Sequence, residues 1–273
     1  MARLIEQLIR YTGGHYRSGG LLGLCRFFAA LSQRKGGGIF SRLGPKRKSC
    51  PSCGWKGASF LPFIDPGYVT FGAECPVCGS HARHRGHALF YRRILKPDQM
   101  SGRLLYFAPE YNIRMFRNNP RLEVKTSEYG DAPADYRLDI CDIDLPGESF
   151  EFIICHRVIE HLPDDRKGMR ELYRILKPGG ILIMSVPIDR DLDRTIEYGK
   201  PNPLETDHYY RYGLDFEKRI PPEFIVESHD FRSLFTRKEF GEMNLMDDAI
   251  FLCRKPDSGE KGVDGNNQIR VPV

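Results

Sequence analysis

The pattern of apolar and polar positions changes at about Gly102, where apolar runs of strand length begin to alternate with helical segments. The clearest run, residues 152–159, is rich in β-branched side chains and is typical of a strand buried on both faces. Pro163 and two acids then favour the start of a helix, and residues 169–176 have apolar side chains at three- and four-residue spacing. A further buried strand is predicted at residues 181–186. Strand, helix and strand in this order predict a βαβ unit with parallel strands and a right-handed crossover.

Three apolar runs upstream of this unit predict further strands, at residues 103–107, 122–126 and 136–140. With the two strands of the βαβ unit they make five, which favours a doubly wound α/β domain over residues 100–255. The tail that follows, residues 256–273, is rich in Gly and Asp and poor in apolar side chains, so it is predicted to be disordered.

The first segment, residues 1–48, mixes short apolar stretches with glycine pairs and a glycine triplet, so any helix there is expected to be interrupted. Residues 21–33 are predicted to form one amphipathic helix. The most apolar run, residues 21–31, is eleven residues long and contains Arg26, so it is too short and too polar to cross a bilayer. The sequence shows no recognisable secretory signal, and the chain is therefore expected to be cytoplasmic.

The composition is that of an ordinary globular protein, with 273 residues, 41% of them hydrophobic and 28% charged. Charge is unevenly placed: residues 1–48 hold ten of the 41 Lys and Arg but only one of the 36 Asp and Glu, so the net charge of +5 belongs to this basic extension. Such an extension can approach RNA phosphate or make peripheral contact with an anionic membrane. A solvated extension without a partner fits the same pattern.

Four of the eight cysteines occur in two CPxCG sequences that are separated by 21 residues: Cys50, Cys53, Cys75 and Cys78. A disulfide scaffold suits a short secreted chain, whereas paired cysteines in a chain of enzyme size favour metal binding. Four thiolates form a closed tetrahedral Zn²⁺ site, which is structural because no position remains for a reacting water. The sequence therefore predicts a small zinc ribbon over residues 49–93.

A basic, histidine-rich run follows the second cysteine pair, with helix-like spacing of His81, Arg83, His84, Arg85, His87, Arg92 and Arg93. One of these histidines could replace a cysteine as a zinc ligand, although four thiolates already complete the site. Two interpretations of the basic side chains remain open: a solvated face, or a surface that binds an anionic substrate.

Residues 104–188 contain a long and specific run of motifs. Residues 156–161 read HRVIEH, and RELYRILKPGG follows at residues 170–180. This stretch resembles the class I S-adenosylmethionine-dependent methyltransferases, in particular the branch whose fourth strand ends in a phrase like HVLEH. The resemblance implies a Rossmann-like, doubly wound sheet of seven strands, with S-adenosylmethionine over the carboxyl ends of the early strands.

The resemblance also implies which residues bind the cofactor: Phe107, Ala108 and Glu110 in the first-strand motif, Glu128 at the ribose, Asp139 and Ile140 at the adenine, and His156 near the methionine moiety. A carboxylate suits a ribose because it accepts two hydrogen bonds from the diol. The family's first motif is normally rich in glycine, which permits close approach of backbone to cofactor, but FAPE contains no glycine. Pro109 also lacks an amide proton, so this loop is expected to hold the methionine end differently.

A subset of the family that joins a CPxCG module to an FAPE-containing domain also has a downstream DHxRxYG phrase. Here the phrase is DHYYRYG, residues 207–213, and the resemblance to the subset extends over about residues 50–215. His208 is the predicted catalytic base, because histidine titrates near neutrality and the segment follows the fifth strand; a structural histidine fits equally well. His161 is predicted to orient the loop after the fourth strand. The aromatic run could stack on a sugar face through Tyr209, Tyr210 and Tyr212.

Three functions are therefore open. A methyltransferase that acts on a small molecule or a glycan is favoured by the acidic charge balance outside the basic extension. An RNA methyltransferase is the alternative, in which the zinc ribbon and the basic extension would hold phosphate. The third is a non-catalytic module that kept the fold after losing the glycines of its first motif.

Overall fold

The structure is a computed structural model that describes residues 2–65 and 67–257, with residues 2–8 and 37–43 described by their backbone alone. No described helix is long and apolar enough to cross a membrane. The predicted disordered tail, residues 256–273, lies outside the described residues from position 258 onward.

The chain divides into two compact units. Of the described residues, the first unit contains those up to Leu89 together with residues 235–246, and the second contains residues 90–234 and 247–257. This division differs from the segments predicted from the sequence in two respects. The basic extension and the cysteine pairs belong to the same unit, and residues 235–246 belong to that unit as well. Hydrogen bonds hold residues 235–246 in the first unit, because the guanidinium of Arg85 donates to the carbonyl oxygens of Met243 and Asn244 at 2.6 and 3.0 Å.

Both units are built from helices and strands that are joined by turns and loops. In chain order these helices and strands are α1 (Ala2–Leu43), β1 (Lys48–Ser49), β2 (Lys56–Gly57), β3 (Leu61–Asp65), β4 (Tyr68–Glu74), α2 (Ala82–Phe90), β5 (Gly102–Phe107), α3 (Ile113–Arg117), β6 (Leu122–Ser127), β7 (Phe150–His156), α4 (Asp165–Ile175), β8 (Leu176–Ser185), β9 (Ile196–Asn202), β10 (His208–Arg211), β11 (Ile225–Asp230), α5 (Phe231–Leu234), α6 (Arg237–Met243) and β12 (Ala249–Arg254). Short 3-10 and π turns connect some of them, including Ile159–His161 after β7 and Tyr91–Leu95 after α2.

The first unit is built from a bent helix and two hairpins. α1 is helical on both sides of Gly20, whose φ of 56° kinks it, so the expected interruption occurs at one of the predicted glycine pairs. After the kink, Gly23 lies so close to the carbonyl oxygen of His15 that an added Cβ would be 2.1 Å from that oxygen. The ring of Phe27 then stacks on that of His15 at 4.6 Å, and both side chains are buried. The antiparallel hairpins β1–β2 and β3–β4 complete the unit with α2 and α6.

The second unit contains a six-stranded sheet with the strand order β11-β12-β8-β7-β5-β6. β6, β5, β7 and β8 are parallel, and β12 and β11 continue the sheet as antiparallel strands. All residues of the central strand β7 are buried except Glu151, as the apolar run predicted. The α/β fold is thereby confirmed, with six strands in the described residues instead of the seven that the resemblance implied.

The predicted strand at residues 136–140 is wrong, because this segment makes only isolated bridges in the described structure. The carboxylate of Asp135 accepts hydrogen bonds from the amide and the hydroxyl of Thr126, both at 2.8 Å, and so occupies part of the outer edge of β6. The chain then turns at Asp139, whose carboxylate accepts a hydrogen bond from the amide of Cys141 at 2.8 Å. Side chains thus take hydrogen bonds that a further strand would have made.

The predicted βαβ unit is confirmed by β7, α4 and β8. α4 begins at an N-cap, Asp164, whose carboxylate accepts a hydrogen bond from the amide of Lys167 at 2.8 Å. Its apolar face buries Met169, Leu172 and Ile175 in the core of the second unit. The capping acid and the apolar spacing, both visible in the sequence, are therefore the features that define this helix.

Candidate functional site

The carboxyl ends of the parallel strands form the edge at which open α/β sheets bind their ligands. β7, β5 and β6 are neighbours, and Phe107 at the end of β5 pairs in register with Cys155 on one side and Ser127 on the other. Three predicted cofactor residues consequently lie at the ends of three adjacent strands: Ala108, Glu128 and His156.

Two residues at this edge have a left-handed backbone without being glycine. Ala108 has φ 44° and follows β5, and Arg157 has φ 57° and follows β7. For an L-residue this conformation costs about 1–2 kcal/mol, and such strain is concentrated at ligand-binding sites. The turn at Ala108 is held by a hydrogen bond of 2.9 Å from its amide to the carbonyl of Ser127. The first motif therefore makes a left-handed turn although FAPE lacks glycine.

The remaining predicted cofactor residues differ in exposure. Glu128 is half-buried, and its carboxylate makes no hydrogen bond or ion pair to any other residue within the described ranges. Glu110 is half-buried as well, whereas Phe107 and Ile140 are buried. Asp139 is exposed. Glu128 is thus the acid of the set that is best placed to accept hydrogen bonds from a ligand.

The side chain of His156 is only 1% exposed, so it is closed to solvent. Its Nε2 lies 2.6 Å from the hydroxyl of Tyr91, and its Nδ1 lies 3.0 Å from the hydroxyl of Ser185. Burial raises the pKa of Tyr91 well above its ordinary value, so the phenol stays protonated. Sequence reasoning missed Tyr91, because only the folded chain brings it to the end of β7.

The predicted base, His208, begins β10 and lies close to the 3-10 turn after β7. One donor atom each of Glu160, His161 and His208 lies within 4.8 Å of the others, and the two imidazole centroids are 4.7 Å apart. Desolvation lowers the pKa of both histidines, and the neighbouring His161 lowers that of His208 further. Both imidazoles are therefore neutral near pH 7, a form that accepts a proton or binds a metal ion.

The aromatic run of DHYYRYG is part of the core. Tyr210 and Tyr212 are buried and stack on each other with centroids 5.4 Å apart. The hydroxyl of Tyr212 donates to the carboxylate of Asp165 at 3.1 Å, and that of Tyr210 donates to the carbonyl of Pro163 at 3.1 Å. Tyr209 is half-buried and packs against the same core. The expectation that Tyr210 and Tyr212 stack on a sugar is therefore wrong, because these two rings anchor the start of α4.

The four predicted zinc ligands converge in the first unit, with their sulfurs within 4.8 Å of one another. The Sγ atoms of Cys50 and Cys78 are 3.7 Å apart, as are those of Cys53 and Cys75. A tetrahedral ion with Zn–S bonds of about 2.3 Å requires sulfurs about 3.8 Å apart. This four-cysteine cluster therefore has the dimensions of a closed zinc site.

The glycine of each CPxCG sequence has a definite part in this cluster. Gly54 and Gly79 have φ of 77° and 71°, and their amides donate to the carbonyls of Cys50 and Cys75 at 2.8 and 2.9 Å. These are left-handed turns that favour glycine. Hydrogen bonds from the neighbouring thiols lower the pKa of Cys50, while burial raises that of Cys53 to about 11. A cation is thus needed to hold all four sulfurs as thiolates.

The centre of the basic run after the cysteines, residues 84–87, is buried. For these residues, the interpretation as a solvated face and the interpretation as a surface for an anionic substrate are therefore both wrong. Arg85 is fully buried, with its guanidinium 3.9 Å over the ring of Phe60 and bonded to the carbonyls of Ala73 and Ser80 at 2.9 and 2.6 Å. Burial lowers the pKa of Arg85 to about 10, and the nearby thiols oppose this shift. His84 and His87 are buried as well, whereas exposed residues of the run lie at its end: Arg92 and Arg93.

One basic side chain of the extension, Arg34, is paired with an acid of the same unit. The guanidinium of Arg34 makes two hydrogen bonds of 2.9 Å to the carboxylate of Glu74 and one of 2.7 Å to the carbonyl of Pro62. Apolar side chains of α1 are nevertheless exposed, among them Leu21 and Leu22. Contact with a membrane surface stays a prediction.

Comparison with known proteins agrees with these features over part of the chain. Residues 115–184 match the family described as "Methyltransferase domain". A protein of Mycolicibacterium smegmatis described as "Probable S-adenosylmethionine-dependent methyltransferase" is 32% identical over 71 residues, which are 26% of each chain. The arsenite methyltransferase of Aquipseudomonas alcaligenes is 37% identical over 79 residues, or 27% of this chain and 23% of that one. This chain thus spans about a quarter of the length of the curated relatives that it matches.

Solved structures that resemble part of this chain have little sequence identity with it. The [4+2]-cyclase SpnF has a TM-score of 0.47 at 16% identity, over 64% of this chain and 82% of that chain. Phosphoethanolamine N-methyltransferase 2 of Haemonchus contortus, in complex with S-adenosyl-L-methionine, has a TM-score of 0.44 at 15% identity, over 68% and 55%. The matched sequence segment contains α4 and the strands on either side of it, β7 and most of β8. The chain therefore contains a class I S-adenosylmethionine-dependent methyltransferase domain, which confirms the family that the sequence motifs predicted.

Proposed function

We propose that the whole chain is an S-adenosylmethionine-dependent methyltransferase. The observation that carries this proposal is the carboxyl edge of the sheet, where the carboxylate of Glu128 follows β6 and the left-handed turn at Ala108 follows the adjacent β5. A carboxylate there suits the ribose diol, and the turn suits approach of the backbone to the methionine end. When bound, S-adenosylmethionine supplies a methyl group on a sulfonium centre.

The rest of the edge would position the acceptor. Methyl transfer is a displacement at carbon, so the protein has mainly to align the nucleophile and exclude water. The loop after β7 is held by an ion pair of 2.9 Å between Arg157 and Asp248, whose carboxylate is buried. This loop leads to His161 and lies next to His208, the residue predicted to take the proton of a hydroxyl or ammonium acceptor. The base assignment of His208 stays a prediction.

A small molecule is the acceptor class that we propose. The glycan alternative loses its support because Tyr210 and Tyr212 are buried. The RNA alternative loses part of its support because Arg85 is buried and Arg34 is paired with Glu74. The non-catalytic alternative is weakened by the left-handed turn at the first motif, since strain of this kind is retained where a ligand needs it.

In the same proposal, Zn²⁺ fills the four-cysteine cluster and has a structural role. The fit rests on the sulfur spacing of 3.7 Å and on a thiol cluster that ionises fully only around a cation. Four protein ligands leave no coordination position for a reacting group, so this ion would take no part in methyl transfer.

Calorimetric titration with S-adenosylmethionine tests the function directly. Glu128→Ala should weaken binding by about 1.5–3 kcal/mol, the usual scale for a lost charged hydrogen bond. Glu123→Ala is the matched control, because this exposed glutamate lies on the same strand and pairs with Arg103 and Lys125. Equal affinity of wild type and Glu128→Ala would reject the ribose role. Undetectable binding to the wild type would reject the proposed function and favour the non-catalytic module.

If the cofactor binds, the acceptor class is decided by methyl incorporation from labelled S-adenosylmethionine. Pools of small hydroxy and amino compounds, sugar nucleotides and total RNA are compared under the same conditions. Incorporation into the small compounds supports the proposed class. Incorporation into RNA that declines steeply with salt would replace it with the RNA alternative.

A further inference from the structure

One cluster of ligand-type side chains in the second unit has a composition that proton transfer alone does not require. It comprises the carboxylate of Glu160 and the imidazoles of His161 and His208, with one donor atom of each within 4.8 Å of the others. The first two residues end the 3-10 turn Ile159–His161 after β7, and His208 begins β10. β10 pairs with β9 outside the six-stranded sheet, and its first residue lies against the turn that follows β7 at the carboxyl edge, where a ligand of an open sheet binds.

The imidazole of His208 is held by the turn that precedes β10. The hydroxyl of Thr206 donates to the carbonyl of Glu205 at 2.7 Å and lies 3.2 Å from Nε2 of His208. In the tautomer in which Nε2 carries the proton, this hydroxyl accepts a hydrogen bond from Nε2–H, and the other ring nitrogen of His208 is deprotonated. Metal-binding histidines characteristically donate their second ring nitrogen to such a partner.

The turn that supplies this partner has an unusual backbone. Thr206 and Asp207 are consecutive non-glycine residues with φ of 53° and 61°, a left-handed conformation that costs each of them about 1–2 kcal/mol. Strain of this kind persists where the surrounding structure requires it for a site. Here it places the hydroxyl of Thr206 against the imidazole of His208.

We propose that Glu160, His161 and His208 bind one divalent transition-metal ion, separate from the four-cysteine cluster. Two imidazoles and one carboxylate suit ions such as Co²⁺, Fe²⁺ or Zn²⁺, whereas Mg²⁺ and Ca²⁺ prefer sites made of oxygen ligands. Glu160 is buried, so the cluster contains a carboxylate that is held within the protein beside the two imidazoles. His161 is exposed, so the ion is accessible from solvent and three protein ligands leave positions for another molecule.

A role for the ion in methyl transfer rests on the proposed function, whereas metal binding itself does not. An acceptor hydroxyl on an open position would release its proton to solvent more easily. Its oxygen would then bond to the methyl carbon while the carbon–sulfur bond breaks and its electron pair returns to sulfur. His208 would be a metal ligand in this scheme and not the general base predicted from the sequence.

Cobalt titration of zinc-containing protein tests the site. The protein is purified with one zinc equivalent in the four-cysteine cluster and titrated with Co²⁺ by calorimetry and visible absorption. We expect one further equivalent to bind, with weak ligand-field bands and without the intense absorption of cobalt thiolates. His208→Ala should lower the affinity for Co²⁺ by more than about tenfold, and Thr206→Ala by roughly tenfold, because it removes a partner of the ligand and not the ligand itself.

His229→Ala is the control, since His229 belongs to the same unit, pairs with Glu227 on β11 and lies outside the cluster. The affinity of the His229→Ala protein for Co²⁺ should equal that of the wild type. Thr206 is exposed, so its variant tests the site even if a histidine variant fails to fold. A missing second equivalent, or equal affinity in wild type, His208→Ala and Thr206→Ala, would overturn the proposal. Cobalt binding in a protein that does not bind S-adenosylmethionine would support the metal site while rejecting the proposed function.

Discussion

The four-cysteine cluster and the carboxyl edge of the sheet place polar ligands in different ways. Each half of the four-cysteine cluster is one short CPxCG turn, in which a left-handed glycine donates its amide to the carbonyl of the first cysteine. At the sheet edge, Ala108, Glu128 and His161 follow three different strands, β5, β6 and β7, which strand order places side by side. Local turns thus determine the first site, and long-range pairing determines the second.

This difference extends to what stabilises each unit. The first unit has small hairpins, and its cysteine core is limited to a few side chains around Phe60. The second unit has a large apolar core around β7 and β8 and can hold strained residues at its edge. We therefore expect the first unit to depend on a metal ion and the second to depend on buried side chains. The following predictions test that contrast.

The largest effect is expected from Cys53→Ser. Loss of one thiolate opens the closed site, and structural zinc in small domains contributes about 10–16 kcal/mol of binding free energy that is also folding free energy. The variant should lose its zinc equivalent, measured by elemental analysis, and residues 48–74 should lose hydrogen-exchange protection. Protection of β5, β7 and β8 should change little.

Cys25→Ser is the matched control, because Cys25 is an exposed cysteine of α1 outside the cluster. It should keep the zinc content and the exchange pattern of the wild type. A Cys53→Ser protein that retained one zinc per chain would contradict the assignment of the four cysteines as zinc ligands. Equal loss of hydrogen-exchange protection in both units would contradict the expectation that only the first unit depends on a metal ion.

A smaller effect, confined to the second unit, is expected from Arg219→Met. Its guanidinium donates to both oxygens of Asp165 at 2.6 and 2.9 Å, and that carboxylate is 1% exposed. The variant would leave the buried carboxylate without this cation, which typically costs about 3–5 kcal/mol. The free energy of unfolding measured in urea should fall by that amount, with the zinc content unchanged.

Arg232→Met provides the comparison for this result, since Arg232 is exposed and pairs with Asp247 at the surface. Exposed pairs contribute about 0–1 kcal/mol, so this variant should remain near the wild type. Equal losses for Arg219→Met and Arg232→Met would mean that Asp165 is not buried as described. Loss of zinc from Arg219→Met would contradict the contrast between the units.

The same contrast explains how much could be predicted from the sequence. The four cysteine ligands and the cap of α4 by Asp164 depend on residues within a few positions, so their patterns were sufficient. The strand at residues 136–140 was predicted wrongly because the side chain of Asp135, and not the segment's apolar pattern, controls the edge of β6. Burial of Arg85 was missed because its partners include Met243 and Asn244, far along the chain.

At the carboxyl edge the sequence identified residue types better than their conformations. The motif order indicated Glu128 and His208, but it did not indicate that Ala108 makes a left-handed turn without glycine. It also gave no sign that Tyr91 closes the side chain of His156. Neither feature has a local pattern, because each arises from the packing of neighbouring strands and helices. The conformation of Ala108 is therefore the part of the edge that most needs an independent test.

The smallest predicted effect concerns this turn, and its sign is informative. Ala108→Gly should relieve about 1–2 kcal/mol of left-handed strain, offset by about 0.5–1 kcal/mol for the greater freedom of glycine in the unfolded chain. The free energy of unfolding in urea should therefore rise by up to about 1.5 kcal/mol. Ala108→Val should lower it, because a β-branched residue tolerates positive φ less well than alanine. If Ala108→Gly instead destabilised the second unit, position 108 would not have a left-handed backbone. The proposed function would then lose one of the two features at the sheet edge on which it rests.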